Sequence, residues 1–295
     1  MIPQSNARID TADDCITGHR TGMNRMDDSG NRLTALPVFD STGSYERMTE
    51  LEISSARFDQ QPATVKRKFV IFSMQRSGSF LLCRQLINAG IGIPQEYFNP
   101  LHTGILRKRW KLTPGDDRAY LRELYARRTT PNGVWGAKLQ WPQYRAHPAV
   151  IDELLCDASQ FIYLYRNDLA AQAVSLHVSL VTGIWGFDVT KTTRSRAGVA
   201  LDDLQHVSQC AQLIIQEQVA WKKFFVMRQI TPLSLSYEDL AEDQSGAVRR
   251  IAKLLGLEAR EFRIPAPETR QDHLPSEIAA VKRDLRVRWQ TLGQQ

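Results

Sequence analysis

Within the stretch Phe69 to Leu82, FVIFSMQRSGSFLL, the five residues Gln75-Arg76-Ser77-Gly78-Ser79 set a cation and two hydroxyls around a glycine, directly ahead of a helical pattern. A helix start presents unpaired N–H groups and the positive end of the peptide dipoles, so a loop that leads into one suits phosphate or sulfate. Arg76 adds a fixed charge there. By itself the stretch reads equally well as an ordinary strand-to-helix turn with an exposed arginine. A second pairing of this kind is Arg166, at the end of an apolar run, with Ser175 on the helix that follows. The arginine's planar fork and the serine hydroxyl can converge on one phosphate. Lys138 lies inside the otherwise apolar run Val134 to Trp141, where a lysine must meet a partner or reach solvent at the strand's end. Glu96, between Gln95 and two aromatics, reads on its own as a loop carboxylate.

These residues need a scaffold, and the patterning supplies one. Phe69 to Phe72 has the composition of a strand buried on both faces, and Leu82, Cys83, Leu86 and Ile87 then recur at helical spacing up to Asn88-Ala89-Gly90. Ile91 to Pro100 is an extended loop bracketed by two prolines. Residues 101 to 130 read as basic and helical, with Leu121, Leu124 and Tyr125 facing a core. Val134 to Trp141 and Gln160 to Tyr165 are the second and third strands, and Asn167-Asp168 caps a helix from Leu169 to Gly183. A long amphipathic helix from Leu201 to Ile230 supplies core or dimer contacts. A strand at Pro232 to Ser236, a helix at Ala247 to Leu255 closed by Gly256, and a helix from Pro275 to Trp289 complete the chain. The fold class is α/β. Residues 1–62 are polar and aperiodic and read as a flexible extension, although the segment at Leu51 to Ile53 is apolar enough to dock; residues 63–295 form one domain.

Taken together, the motifs resemble the bacterial Stf0 family of sulfotransferases, over roughly residues 67 to 290. Gln75 to Ser79 resembles the family's 5′-phosphosulfate loop. The Pro-x-Glu-aromatic segment around Glu96 is similar to one whose glutamate serves as general base. Arg166 and Ser175, nine positions apart, resemble the 3′-phosphate site in its Arg-x-Asp…Gln-Ala-Val-Ser-Leu form, in which Ser175 is the serine. Thr182 to Gly186, Tyr237-Glu238-Asp239-Leu240 and Thr269-Arg270-Gln271-Asp272 also resemble family segments, and Arg270 is the candidate for a basic C-terminal motif that is otherwise missing. The resemblance implies a P-loop-like parallel sheet flanked by helices and 3′-phosphoadenosine 5′-phosphosulfate as donor co-substrate, with no metal. It also implies a carbohydrate or glycolipid hydroxyl as acceptor. Lys138 would contact the sulfuryl group, with Arg76 and Glu96 as the other catalytic residues. Cytosolic relatives carry Lys-x-His where this chain has Lys138-Leu139-Gln140. A glutamine cannot act as base near neutral pH, so with the same chemistry the base lies elsewhere, which strengthens the case for Glu96. The chain departs from the family at Phe80, where a second phosphate-facing hydroxyl is usual.

Composition excludes little. The 295 residues carry a net charge of +6, a surplus that suits anionic ligands without choosing among them. Cys15, Cys83, Cys156 and Cys210 show no Cys-x-x-Cys pairing, and three of them fall in apolar helical stretches expected to be core. The six histidines lack metal-ligand spacing, and there is no Gly-x-Ser-x-Gly elbow. The expectation is a cytoplasmic protein without a membrane span and with at most peripheral membrane contact. A homodimer is compatible with the sequence, and no nucleic acid partner is expected. A small-molecule kinase is the second reading, weakened by the lack of Gly-Lys-Ser/Thr, and a noncatalytic nucleotide-binding protein is the third.

Overall fold

The computed structural model describes residues 50–156, 159–185, 199–268 and 276–292. Val38-Phe39, most of the connection from 187 to about 200, and the Thr269 to Asp272 motif with Arg270 lie outside the described residues. The element at the centre is β1 (Arg67–Ser73), in which Phe69 to Ser73 are fully buried. It pairs in parallel with β2 (Val134–Gln140) on one side and β3 (Ser159–Tyr165) on the other, and β3 pairs in parallel with β4 (Leu233–Ser236). The sheet order is therefore β2-β1-β3-β4. The chain leaves β1 toward β2 and then crosses back to β3, so the direction of winding reverses beside β1. Ligands of open parallel sheets sit at such a switch point, beyond the strands' carboxyl ends.

Helices cover both faces of the sheet. A short α1 (Glu50–Ile53) and a 3-10 turn at Ala56–Phe58 precede β1, and α2 (Ser79–Ala89) follows it, ended by Gly90 in the left-handed conformation. The expected helical region 101–130 is two helices, α3 (Pro100–Arg109) and α4 (Asp117–Arg128), capped by the side chains of Asn99 and Asp116. β2 stops one residue short of expectation because Pro142 has no N–H for the ladder and instead starts α5 (Trp141–Ala146), followed by α6 (Pro148–Leu155). After β3 come α7 (Leu169–Thr182), capped by Asp168, and α8 (Leu204–Met227). The C-terminal part holds α9 (Tyr237–Glu242), α10 (Gln244–Leu254) and α11 (Ser276–Leu292). Val70 and Phe72 face an aromatic core with Trp135, Trp221, Phe224 and Phe225; Phe69 and Ile71 face Leu82, Leu86 and the apolar side of α10.

Two expectations change. The extension does not run to residue 62, because Ile53 and Phe58 are fully buried against Ile87 and Ile93. Fully buried Arg128 donates to the carbonyls of Ile53 (2.7 Å) and Ser55 (3.3 Å), while Asp59 pairs with Arg128 (3.1 Å) and Arg109. Polar composition hid a segment that docks through two apolar side chains and its own backbone. Of the cysteines expected in the core, Cys83 and Cys210 are buried but Cys156 is exposed, since it stands just past the end of α6. Among the described residues no helix is long and apolar enough to cross a membrane.

Candidate active site

The turn after β1 is held from within. Ser77 is fully buried, and its hydroxyl donates to the Met74 carbonyl (2.8 Å); Gln172 on α7 donates to the Gln75 carbonyl (2.7 Å). Arg76 has φ 60° and Gly78 φ 82°, so the backbone makes a left-handed corner into α2. A Cβ at Gly78 would lie 2.4 Å from the Tyr237 ring, which makes glycine obligatory on steric as well as conformational grounds. No side chain caps α2 and its first turn holds no acid. The N-terminal turn is thus suited to an anion.

Arg76 does not stay with its own loop. Its Nε donates to the Ser175 hydroxyl on α7 (3.0 Å) and its Nη1 to the Trp185 carbonyl. The two anion motifs, separate in the sequence, are therefore joined by a direct hydrogen bond. Lys282 of α11, which sequence reasoning missed, donates to the same hydroxyl (3.3 Å). Arg166, at the tip of β3, lies over the Tyr237 ring (4.6 Å) with its Nε 3.9 Å from Glu238. Glu238 also accepts the N–H groups of Asn167 (3.0 Å) and Asp168 (3.2 Å), so the Tyr237–Glu238 pair links the turn after β3 to the glycine of the first loop.

On the β2 side, Glu96 is 5% exposed and accepts four hydrogen bonds. Lys138 (2.8 Å) and Gln140 (2.8 Å) reach its Oε1; Gln143 (2.7 Å) and Asn99 (3.0 Å) reach its Oε2. Lys138 and Gln140 share a strand face because side chains two apart on a strand point the same way. Lys138, 1% exposed, also lies 6.0 Å from the ring of Phe80 in the first turn of α2, which places its ammonium between Glu96 and the loop that opens that helix. Burial acts to raise the Glu96 carboxyl, but the Lys138 charge and hydrogen bond and the Asn99 amide outweigh it, and the group stays below its ordinary value. It is ionised at neutral pH. Gln140, the last residue of the Lys138-Leu139-Gln140 triplet, is thus a donor to the glutamate.

Other charged residues serve the framework. Arg107 pairs with Asp117 and Arg109 with Asp59, so this part of the basic cluster on α3 is engaged in structural contacts. His102 is buried and tied to Ser54 (2.9 Å) and Gln95 (3.1 Å). Among the described residues there is no group of histidine, cysteine and carboxylate side chains fit for a metal ion. Asn99 carried a readable signal, an asparagine before a proline at a helix start. Gln143 and Lys282 had none, because their roles arise only when α5 and α11 pack.

The chain is similar in sequence to two curated proteins. Trehalose 2-sulfotransferase of Mycobacterium tuberculosis (strain ATCC 35801 / TMC 107 / Erdman) is 25% identical over 239 residues, covering 68% of this chain and 88% of that protein. Trehalose 2-sulfotransferase of Mycolicibacterium smegmatis (strain ATCC 700084 / mc(2)155) is 26% identical over 256 residues, 73% of this chain and 94% of that one. Among solved structures, the sulfotransferase domain of the Synechococcus PCC 7002 olefin synthase is 17% identical with a TM-score of 0.37, covering 79% of this chain and 90% of that one. A sulfotransferase from Alicyclobacillus acidocaldarius is 15% identical with a TM-score of 0.42, covering 77% and 95%. The profile of the Stf0 sulphotransferases matches residues 68–280, and the chain belongs to that family.

Proposed function

We propose that this sulfotransferase moves a sulfuryl group from 3′-phosphoadenosine 5′-phosphosulfate to a hydroxyl of a carbohydrate or glycolipid, with Glu96 as general base. The observation that carries the reading is the Lys138–Glu96 pair at the tip of β2, a buried carboxylate kept charged beside an anion-binding turn. In the reaction the acceptor oxygen forms a bond to sulfur as the bond from sulfur to the 5′-phosphate oxygen breaks. The acceptor's proton passes to Glu96, and adenosine 3′,5′-bisphosphate leaves. Transfer of this kind depends mostly on positioning and on stabilising charge on the leaving phosphate.

In this reading Gln75, Arg76, Ser77, Gly78 and Ser79 hold the 5′ end of the donor, and Arg166 and Ser175 hold the 3′ end. The direct contact between Arg76 and Ser175 supports this reading, because one nucleotide requires its two anion sites to be neighbours. Lys138 meets the sulfuryl oxygens. The relatives' activity on trehalose supports a sugar as acceptor. Initial rates of transfer of labelled sulfate to trehalose and a panel of sugars and glycolipids test the reading. Calorimetry with adenosine 3′,5′-bisphosphate against ATP, with and without Mg²⁺, tests the donor. Tight, metal-independent binding of the bisphosphate is expected. Preference for Mg²⁺–ATP would instead support the kinase reading, and nucleotide binding without transfer to any acceptor would support a noncatalytic protein.

A further inference from the structure

Ser175 is 4% exposed, and its oxygen accepts from Arg76 (3.0 Å) and from Lys282 (3.3 Å). A serine oxygen has two lone pairs, and these two donors fill them. Neither contact uses the hydroxyl hydrogen, which is left to donate. The point therefore gathers around one oxygen a guanidinium, which also donates to the Trp185 carbonyl, an ammonium and an O–H. That set matches an oxyanion with several acceptor oxygens. Lys282 is not a stray surface lysine. Its helix, α11, is seated on α7 and α8 through Ile278 and Leu285, and Trp289 donates to Ser208 on α8 (2.9 Å). One turn past Lys282, Arg286 pairs with Asp168, the cap of α7. The ammonium thus reaches Ser175 from a helix packed on α7 and α8, at a position just beyond the stretch 68–280 that matches the family profile.

We propose that Lys282 is a ligand of the donor's 3′-phosphate, acting with the Ser175 hydroxyl as the second cation of that subsite. The inference rests on the donor reading given above. It places on α11 the basic contribution that sequence reasoning had sought at Arg270, which lies outside the described residues.

The test is calorimetric binding of adenosine 3′,5′-bisphosphate and adenosine 5′-phosphate, which differ only in the 3′ group, to the full chain and to Lys282→Met and Lys282→Arg. A charged hydrogen bond of this type accounts for about 10- to 100-fold in affinity. Lys282→Met is expected to lose that factor for the bisphosphate and to leave adenosine 5′-phosphate within about twofold, with Lys282→Arg restoring most of the loss. Thermal melting of both variants at the wild-type temperature establishes that the helix still docks. Unchanged bisphosphate affinity in Lys282→Met, or an equal loss for both nucleotides, overturns the proposal while leaving the donor reading in place. A wild-type chain that binds neither nucleotide, or binds both equally, overturns the 3′-phosphate subsite and with it the donor reading.

Discussion

Glu96 and Glu217 are the same side chain buried to nearly the same depth, 5% and 4% exposed, and their titration is shifted in opposite directions. Glu217 stands on the core-facing stripe of α8 between Ile214 and Trp221, where burial alone pushes its carboxyl up to about 7. Around Glu96 the same desolvation is outweighed chiefly by the Lys138 ammonium, with the Asn99 amide adding to it. Depth therefore does not decide charge in this molecule; partners do. Carboxylates held ionised against burial by a specific partner recur at functional sites and in structural ion pairs alike, whereas an interior acid without such a partner gives up its charge.

The strongest way to break this contrast is to remove the cation. Lys138→Met strands a buried carboxylate and is expected to cost about 3–5 kcal/mol in chemical denaturation. Adding Glu96→Gln in that background should recover most of the loss, and a single variant as stable as wild type would mean the pair is not coupled. Next in size, Glu96→Gln alone is expected to lower turnover by about 10²- to 10³-fold with donor affinity nearly intact, read by initial rates and calorimetry. Wild-type turnover in that variant would remove Glu96 as base.

At Glu217 the sign reverses. Its folded-state value lies above the unfolded one, so the folded chain holds an extra proton between about pH 4.5 and about 7, and stability falls as pH rises through that window. Glu217→Gln should therefore gain roughly 2–3 kcal/mol at pH 8 and little at pH 5. Equal effects at both pH values would show that the carboxyl is not shifted. Glu96 behaves oppositely. Its contribution is present above the ordinary carboxylate value and is lost as pH falls through the depressed one. The smallest effect sharpens this point. Asn99→Ser keeps a capping hydroxyl for α3 but removes one amide from Glu96, and should move the acid limb of kcat upward by less than about one pH unit.

The sheet was legible because its strands are short apolar runs punctuated by glycine and proline, and the first loop because Gly78 interrupts such a run immediately before a helical period. The surroundings of Glu96 were legible only in part. Glu96 and Lys138 could be singled out, but Gln140 was read as an omission and proves to be a donor to the glutamate. Gln143 sits in an unassigned six-residue helix created by Pro142. Lys282 belongs to a helix that was expected, yet its target lies 107 positions away on another element. Periodicity reports which face of a helix is buried; it does not report which distant hydroxyl a long side chain will reach.

The docking of Ile53 to Asp59 bears on how the protein is made as well as on what it looks like. The arginine that clasps the Ile53 carbonyl is synthesised 75 residues later, so the Glu96 loop emerges from the ribosome before its brace can close. Long-range closure of this kind slows folding and leaves the interval exposed to off-pathway association. A recombinant chain begun at the basic residues just ahead of the first strand would lack that brace altogether, and would leave Ile87 and Ile93 without the apolar side chains of Ile53 and Phe58 that cover them.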